Sequence, residues 1–246
     1  ESGRLHTYAA LQMLARVCLY EGTWLKYRNL GGWEPYLTKA VESSEAIMNS
    51  GNYDIEKGNA PYMFEGYPLY YRQQFIQEDL VSNKECVLAR AYIKDLSMHG
   101  NSRHTNQSGW GISKDFIEDF LCVDGNPIAL SPLYLGDDSL QMEMTNRDPR
   151  FRNIVDNKHL PYYLDGAEPI SYPVTPTSVD ISPTGYLVFK FRDPVPEQNE
   201  EQHCSYDWYV FRYAEVLLIY AEAKAELGTL TQGDLDMSVN KLRERL

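Results

Sequence analysis

The stretch Asp207–Gly228, read as DWYVFRYAEVLLIYAEAKAELG, constrains the fold more than any other. Val210, Ala214, Leu217, Ala221 and Ala225 recur at the three-to-four spacing that gathers side chains on one helical face. Val216, Tyr220, Ala223 and Leu227 load a neighbouring face in the same way. Arg212, Glu215, Glu222 and Glu226 fall within a sector of roughly 80° at about 100° per residue, so the polar stripe is narrow. A helix apolar on most sides must be covered on most sides, which predicts a core helix inside a helical stack. Gly228 supplies the residue that tolerates positive φ just past a helix end.

A second stretch follows the same logic. Leu5–Tyr20 reads as a helix apolar on most sides, with Arg4, His6 and Arg16 as its few charges. Gly22–Glu34, carrying Gly22, Gly31 and Gly32 around Trp24, Tyr27 and Trp33, reads as an interruption. Pro35 suits the first position of the next helix. There Leu37, Ala40, Val41, Ser44, Ile47 and Met48 share one face, opposite Lys39, Glu42, Glu45 and Asn49, and Gly51 follows as the stop. The pair is a hairpin of tetratricopeptide type. Leu11, Ala15 and Gly22 align with Leu217, Ala221 and Gly228 at equal spacing. Leu235–Leu246 is the expected partner of the later helix, with Asp234 near its start. Two hairpins about 180 residues apart do not make a regular solenoid, whose units follow one another directly.

The expected organisation is therefore a single domain, 1–246, with helical hairpins at 1–51 and 207–246 and a loop-rich insertion at 52–206. Within the insertion, Glu85–Ile93 and Tyr186–Arg192 have strand composition. Ser113 can cap a short helix, Lys114–Leu121, that buries Phe116, Ile117 and Phe120. Asp124-Gly125 is a turn, and Pro169, Pro173, Pro176, Pro183, Pro194 and Pro196 exclude long helices later on. The fold class is mainly α: tetratricopeptide-like hairpins with a large irregular insertion carrying short strands and loops.

Composition narrows the function. A formal net charge of −12 argues against nucleic acid and against an anionic membrane surface, since both need clustered Lys and Arg. At 43% hydrophobic the chain can build a core without disulfides. Cys18, Cys86, Cys122 and Cys204 form no CxxC pair, so metal-ligand spacing is absent and no metal or cofactor is expected. No apolar run approaches the roughly 18 residues of a membrane span. Both ends look cut within helical patterns, so the lack of a targeting segment says nothing about location.

Enzyme signatures are weak. Asp137-Asp138 is a carboxylate pair in a loop, where such pairs make turns or cap helices. The five His residues show no HxH or HExxH spacing, and His203-Cys204 has no recognisable third partner. No catalytic residue is assigned. The aromatics say more. Tyr8, Tyr20, Tyr213 and Tyr220 lie on helices and read as core; Trp24 and Trp33 read as packing in the connection. Loop aromatics differ: Tyr70-Tyr71, Trp110, Tyr134 and Tyr162-Tyr163. A flat ring takes the apolar C–H face of a pyranose while polar partners read its hydroxyls. Arg103, Asn106 and Gln107 stand close to Trp110 in sequence and can supply them. An ordinary buried Trp stays an open alternative there. Asn146-Arg-Asp-Pro-Arg-Phe151 reads as structural, with Arg147 and Arg150 bridging loop carbonyls or carboxylates.

Several stretches, in order, resemble the SusD/RagB family of outer-membrane glycan-binding lipoproteins. They are Ala9-Ala10-Leu11 with Ala15-Arg16-Val17 and Leu19-Tyr20, then Tyr36–Val41 leading to Ser50-Gly51-Asn52-Tyr53. Asp124-Gly125-Asn126-Pro127-Ile128, Asn146–Phe151, Phe211–Leu218 and Tyr220-Ala221-Glu222-Ala223 complete the set. The resemblance is to a C-terminal portion. It implies a tetratricopeptide-like scaffold, a surface-exposed lipoprotein of a Bacteroidetes-type outer membrane, and a SusC-like TonB-dependent transporter as partner, with a lipid anchor outside this sequence as the only membrane link. It also implies non-catalytic capture of oligosaccharide and delivery to that transporter. The matched motifs belong to the scaffold, so no ligand contact carries over from the family. The ligand-site expectation remains Trp110, Arg103, Asn106, Tyr70, Tyr71, Tyr162 and Tyr163. A protein-interaction module using the helical grooves is the rival reading, and a glycoside hydrolase a distant third.

Overall fold

The computed structural model describes residues 3–57, 63–64, 67–68, 70–105, 110–155, 182–193 and 195–245. The chain divides into two compact units, one of residues 1–57, 79–91 and 207–246, the other of 58–78 and 92–206. Residues 52–57 and 79–91, expected in the insertion, thus belong with the helices.

In the helical unit, Thr7–Tyr27 packs against Glu34–Met48, and both pack against Tyr213–Glu226. Small buried residues (Ala9, Ala15, Ala40, Ala214, Ala223) bring the axes together, and Leu37, Ile47, Val216 and Leu217 fill the space between. Tyr213–Glu226 buries eight of its fourteen residues, as its narrow polar stripe requires. Gly228 and Gly51 both adopt positive φ past their helix ends.

Three expectations are corrected here. Gly22 does not interrupt the first helix, which runs on to Tyr27. A Cβ at Gly22 would lie 2.7 Å from both Cγ and Cδ2 of Leu37, so this glycine permits a close helix crossing. Residues 208–212 are not helical. Trp208–Arg212 is a strand antiparallel to Cys86–Arg90, and Val210 is 43% exposed on it. Aromatic and β-branched residues favour a pleated surface when a partner strand exists, and Cys86–Arg90, within the predicted strand 85–93, is that partner. The final stretch is two short helices, Gln232–Met237 and Val239–Arg243, separated at Ser238, whose φ of −123° and ψ of −88° leave the helical region. Thr231 and Asp234 form a reciprocal capping box at the first.

A buried carboxylate ties this unit together. Glu85 is fully buried, with Arg212 at 3.1 Å and Arg245 at 2.9 Å from Oε1. Its Oε2 accepts from the Glu56 amide at 3.0 Å, and its carbonyl accepts from the Tyr213 amide.

Among the described residues the loop-rich unit has only short elements: helices Tyr70–Gln73, Asn101–His104, Lys114–Glu118, Leu140–Met144 and Pro149–Ile154, two 3-10 turns, and the antiparallel strand pair Met63–Phe64 and Tyr67–Pro68. Ser113 caps Lys114–Glu118 by accepting from the Phe116 amide. Ile117 is fully buried there, but Phe116 is 46% exposed, because a helix this short has one inward position per turn. Tyr186–Arg192 is not a strand. Val188 makes an isolated bridge with Val155, and no neighbouring chain extends the ladder among the described residues. Leu187 and Phe189 still alternate inward, which is what gave the stretch its strand-like pattern. Ile117, Met144, Phe151 and Val155 form the local core. Asp124-Gly125 turns as expected, with Gly125 at φ +81°.

Candidate functional site

Arg147 shows how the loop-rich unit holds its surface loops. Its guanidinium donates to the Ile117 carbonyl at 2.6 Å and to the Phe120 carbonyl at 2.9 and 3.1 Å, from a side chain almost fully buried. Arg150 pairs with Asp148, the N-cap of Pro149–Ile154. The Asn146–Phe151 motif is structural, as its mix of turn former and guanidinium groups suggested.

Trp110 emerges on this frame. The Ile112 amide donates to the Tyr186 carbonyl at 3.1 Å, and Gly111 sits so close to Thr184 and Ser182 that no Cβ fits. The backbone around Trp110 is thereby pinned, while the residue is 54% exposed. Among the described residues no ring, hydrogen bond or ion pair engages it. The buried-Trp alternative is overturned. An exposed indole on a fixed backbone is able to stack on a sugar.

The other expected site residues are not gathered around it among the described residues. Arg103 is half-buried on Asn101–His104. That short helix is held by Ser102, whose Oγ donates to Asn199 at 2.8 Å and accepts from the Asp193 amide at 2.9 Å. Tyr71 turns its ring edge-on to Phe75 at 5.2 Å, and Phe75 in turn meets Phe191 at 5.7 Å. Tyr70 opens a short helix, and its side chain lies outside the described residues, as do Asn106, Gln107, Tyr162 and Tyr163. Tyr134 is half-buried beneath Arg147, whose guanidinium lies 5.5 Å from its ring.

The sequence reading missed an aromatic pair. Tyr20, expected in the core, is 62% exposed and stacks on Trp24 at 5.9 Å, and Arg28 covers the Trp24 ring at 3.3 Å. Trp24 belongs to the first helix itself. Met13, Val17, Tyr20, Trp24 and Tyr27 recur at four-three-four-three spacing, so sorting that helix into faces would have separated this stripe from the buried Ala9, Ala15 and Cys18. Lys26 caps Trp33 at 5.0 Å.

Groups that could do chemistry are otherwise engaged. Asp137 pairs with Lys114, which holds its carboxyl below the usual range. Burial raises Glu143, although Tyr186 donates to both its oxygens at 3.0 and 3.2 Å. Burial likewise pushes the Cys86 thiol up to about 12 and Cys204 up to about 11, so neither supplies a thiolate nucleophile near neutrality. Cys204 faces inward while its neighbour His203 pairs at the surface with Glu200 at 2.6 Å. Among the described residues no group of three or more His, Cys, Asp or Glu is placed to hold a metal, and no helix is long and apolar enough to cross a membrane.

Comparison with known families decides the assignment: the profile of the SusD family matches residues 83–246. The chain belongs to the SusD family. A SusD-like carbohydrate-binding protein of Bacteroides fragilis superposes at a TM-score of 0.70 with 24% identity, over 100% of this chain and 45% of its own. Another SusD-like protein of the same organism gives 0.66 and 23%, over 100% and 47%. A structure solved with a xylogluco-oligosaccharide gives 0.62 and 19%, over 100% and 45%. At these identities the likeness is one of fold, and the mainly α SusD fold with short strands is shared. The chain spans a little under half the length of these structures. The sequence matches no curated protein.

Proposed function

We propose that this chain is part of a non-catalytic, glycan-binding SusD-family protein, lipid-anchored at the outer membrane in its full-length parent, that hands oligosaccharide to a SusC-like TonB-dependent transporter. The observation that carries the reading is Trp110, exposed beside a pinned backbone within the family-matched region. Its ring stacks on the C–H face of a pyranose, and polar side chains of the surrounding loops read hydroxyls. The neighbour solved with a xylogluco-oligosaccharide supports the ligand class. Affinity electrophoresis through gels of soluble plant, host and microbial polysaccharides tests it. One glycan should retard the protein, and Trp110→Ala should weaken that retention about tenfold, the value of one aromatic contact. Unchanged retention in the variant would sink the site; turnover of a bound oligosaccharide would sink the non-catalytic reading.

A second reading rests on the exposed stripe Met13, Val17, Tyr20, Trp24 and Tyr27 on the first helix. A face of this spacing suits a helical protein partner. It would serve transporter docking or, as the rival to glycan capture, be the main function.

A further inference from the structure

His99 and Cys204 join two distant stretches of the loop-rich unit. Their backbones pair in both directions, at 2.9 and 2.8 Å, as an isolated antiparallel bridge. The side chains of the same two residues then serve the short helix Asn101–His104, whose first amides have no carbonyl partner within the helix. The Asn101 amide donates to His99 Nδ1 at 3.1 Å, and the Ser102 amide donates to Cys204 Sγ at 3.2 Å.

Each ring nitrogen of His99 has a fixed role. The Tyr206 carbonyl, 3.1 Å from Nε2, can only accept, so Nε2 carries the hydrogen. The Asn101 amide can only donate, so Nδ1 keeps its lone pair. This is the neutral imidazole in one tautomer. A proton added at Nδ1 would face another N–H group. The ring is also boxed in, edge-on to Tyr92 at 4.4 Å and to Tyr206 at 4.7 Å, so turning it disturbs both contacts. Tyr206 is itself held: its hydroxyl donates to the Phe191 carbonyl at 2.8 Å and accepts from Asn101 Nδ2 at 3.0 Å.

The surroundings do not favour a charged ring. Burial lowers the His99 pKa from its ordinary 6.5, and His104, another base, adds to that against the Tyr206 carbonyl. Tyr92 and Tyr206 are neutral phenols, and burial keeps the Cys204 thiol protonated, pushed up to about 11. Asp193, whose amide donates to Ser102 Oγ at 2.9 Å, turns its carboxyl to the Val195 amide.

From the two committed ring nitrogens and the bridge they sit on, we infer that His99 is an acid-sensitive latch, whose protonation releases the start of Asn101–His104 from the His99–Cys204 bridge. The proton passes from solvent to Nδ1, and the hydrogen bond from the Asn101 amide is lost. Folded, the ring binds fewer protons than unfolded. Its contribution is therefore complete above 6.5 and is lost as pH falls through the lower folded value. Asp193 acts in the opposite sense, since its contribution fades as pH rises.

Nitrogen NMR of the imidazoles tests the latch on the wild-type chain. At about pH 7.5 His99 should show the Nε2–H tautomer, and it should titrate below 6.5. Amide exchange at residues 101–104, with intrinsic rates divided out, should quicken at least about threefold from about pH 7.5 to about pH 5 while Tyr213–Glu226 stays protected. His99→Asn keeps an acceptor for the amide two residues on, as in an Asx turn, and has no titration here, so it should lose the acid response. The response should survive in Asp193→Asn and in His104→Gln, which remove the neighbouring titrations. An Nδ1–H tautomer, titration at or above 6.5, or flat exchange in wild type each overturns the proposal. So does an acid response kept by His99→Asn, or one abolished by Asp193→Asn or His104→Gln. Should His99→Asn fail to fold, the tautomer and titration of the wild-type ring still decide.

Discussion

The helical unit satisfies its backbone from within, because long helices bond each amide to a carbonyl four residues back. It buries the carboxylates of Glu85, Asp207 and Asp234, and Glu85 has Arg212 and Arg245 around it. The loop-rich unit is built the other way. Among the described residues its helices are four to six residues long, so nearly every helical carbonyl is at an end without an internal partner. There the largest fully buried side chains are arginines: Arg72, Arg147 and Arg192. Arg147 serves the carbonyls of Ile117 and Phe120, Arg72 that of Arg192, and Arg152 that of Met144 at 3.3 Å. A guanidinium carries five donors in a planar fork, so one side chain can replace several missing ladder bonds. Irregular backbone stays ordered when something else supplies its hydrogen bonds.

The strongest way to break this contrast is Arg147→Met, which keeps volume and removes the donors. It should cost about 3–5 kcal/mol by stranding buried carbonyls. Hydrogen exchange should speed up across residues 112–155, with Tyr213–Glu226 as the internal reference; unchanged protection would remove arginine from the account. Asp193 gives a smaller effect. Burial raises its carboxyl to about 6 from 3.8, against the Val195 amide that donates to it at 2.8 Å. The folded state thus holds a proton that the unfolded chain has released between those values. Stability from this group is full below about 3.8 and lost as pH rises through about 6, by at most about 3 kcal/mol. In Asp193→Asn, thermal melts should lack that decline, so the difference from wild type should change between pH 4 and pH 6 and level off above. A parallel pair of curves would refute the linkage. Gly22→Ala sharpens the other side of the comparison. Ala is the better helix former by about 1 kcal/mol, but its Cβ meets Leu37. Overpacking should win, giving a net loss of about 1 kcal/mol in urea titration; a gain would show that the crossing can open at no cost.

The sequence was legible wherever periodicity and partner agreed. The face of Ala214, Leu217 and Ala221 was readable because burial on that helix follows its own spacing. Trp208–Arg212 was not, since its pattern fits a helix as well as a strand and only pairing with Cys86–Arg90, remote in sequence, decides between them. Gly22 misled for a related reason: a glycine that admits a neighbour looks the same in one dimension as a glycine that ends a helix. Arg147 was read as a bridge to carbonyls from its setting in a turn motif, and that is its role. At the site, Trp110 could be chosen as a loop aromatic, but the close approach of Gly111 to Thr184 that fixes the backbone beside it is announced by no local spacing.

The pairing of Arg90 with Trp208 has one more consequence. It closes the ends of everything between them at a fixed separation, like the two sides of a buttonhole. The entropy of such a closure grows only logarithmically with contour length, so doubling the enclosed segment adds about 0.6 kcal/mol. Lineages can therefore lengthen, shorten or exchange the loops between these two residues with little penalty from the closure itself. A frame hemmed in this way is suited to diversification, with new loops tried on an old scaffold.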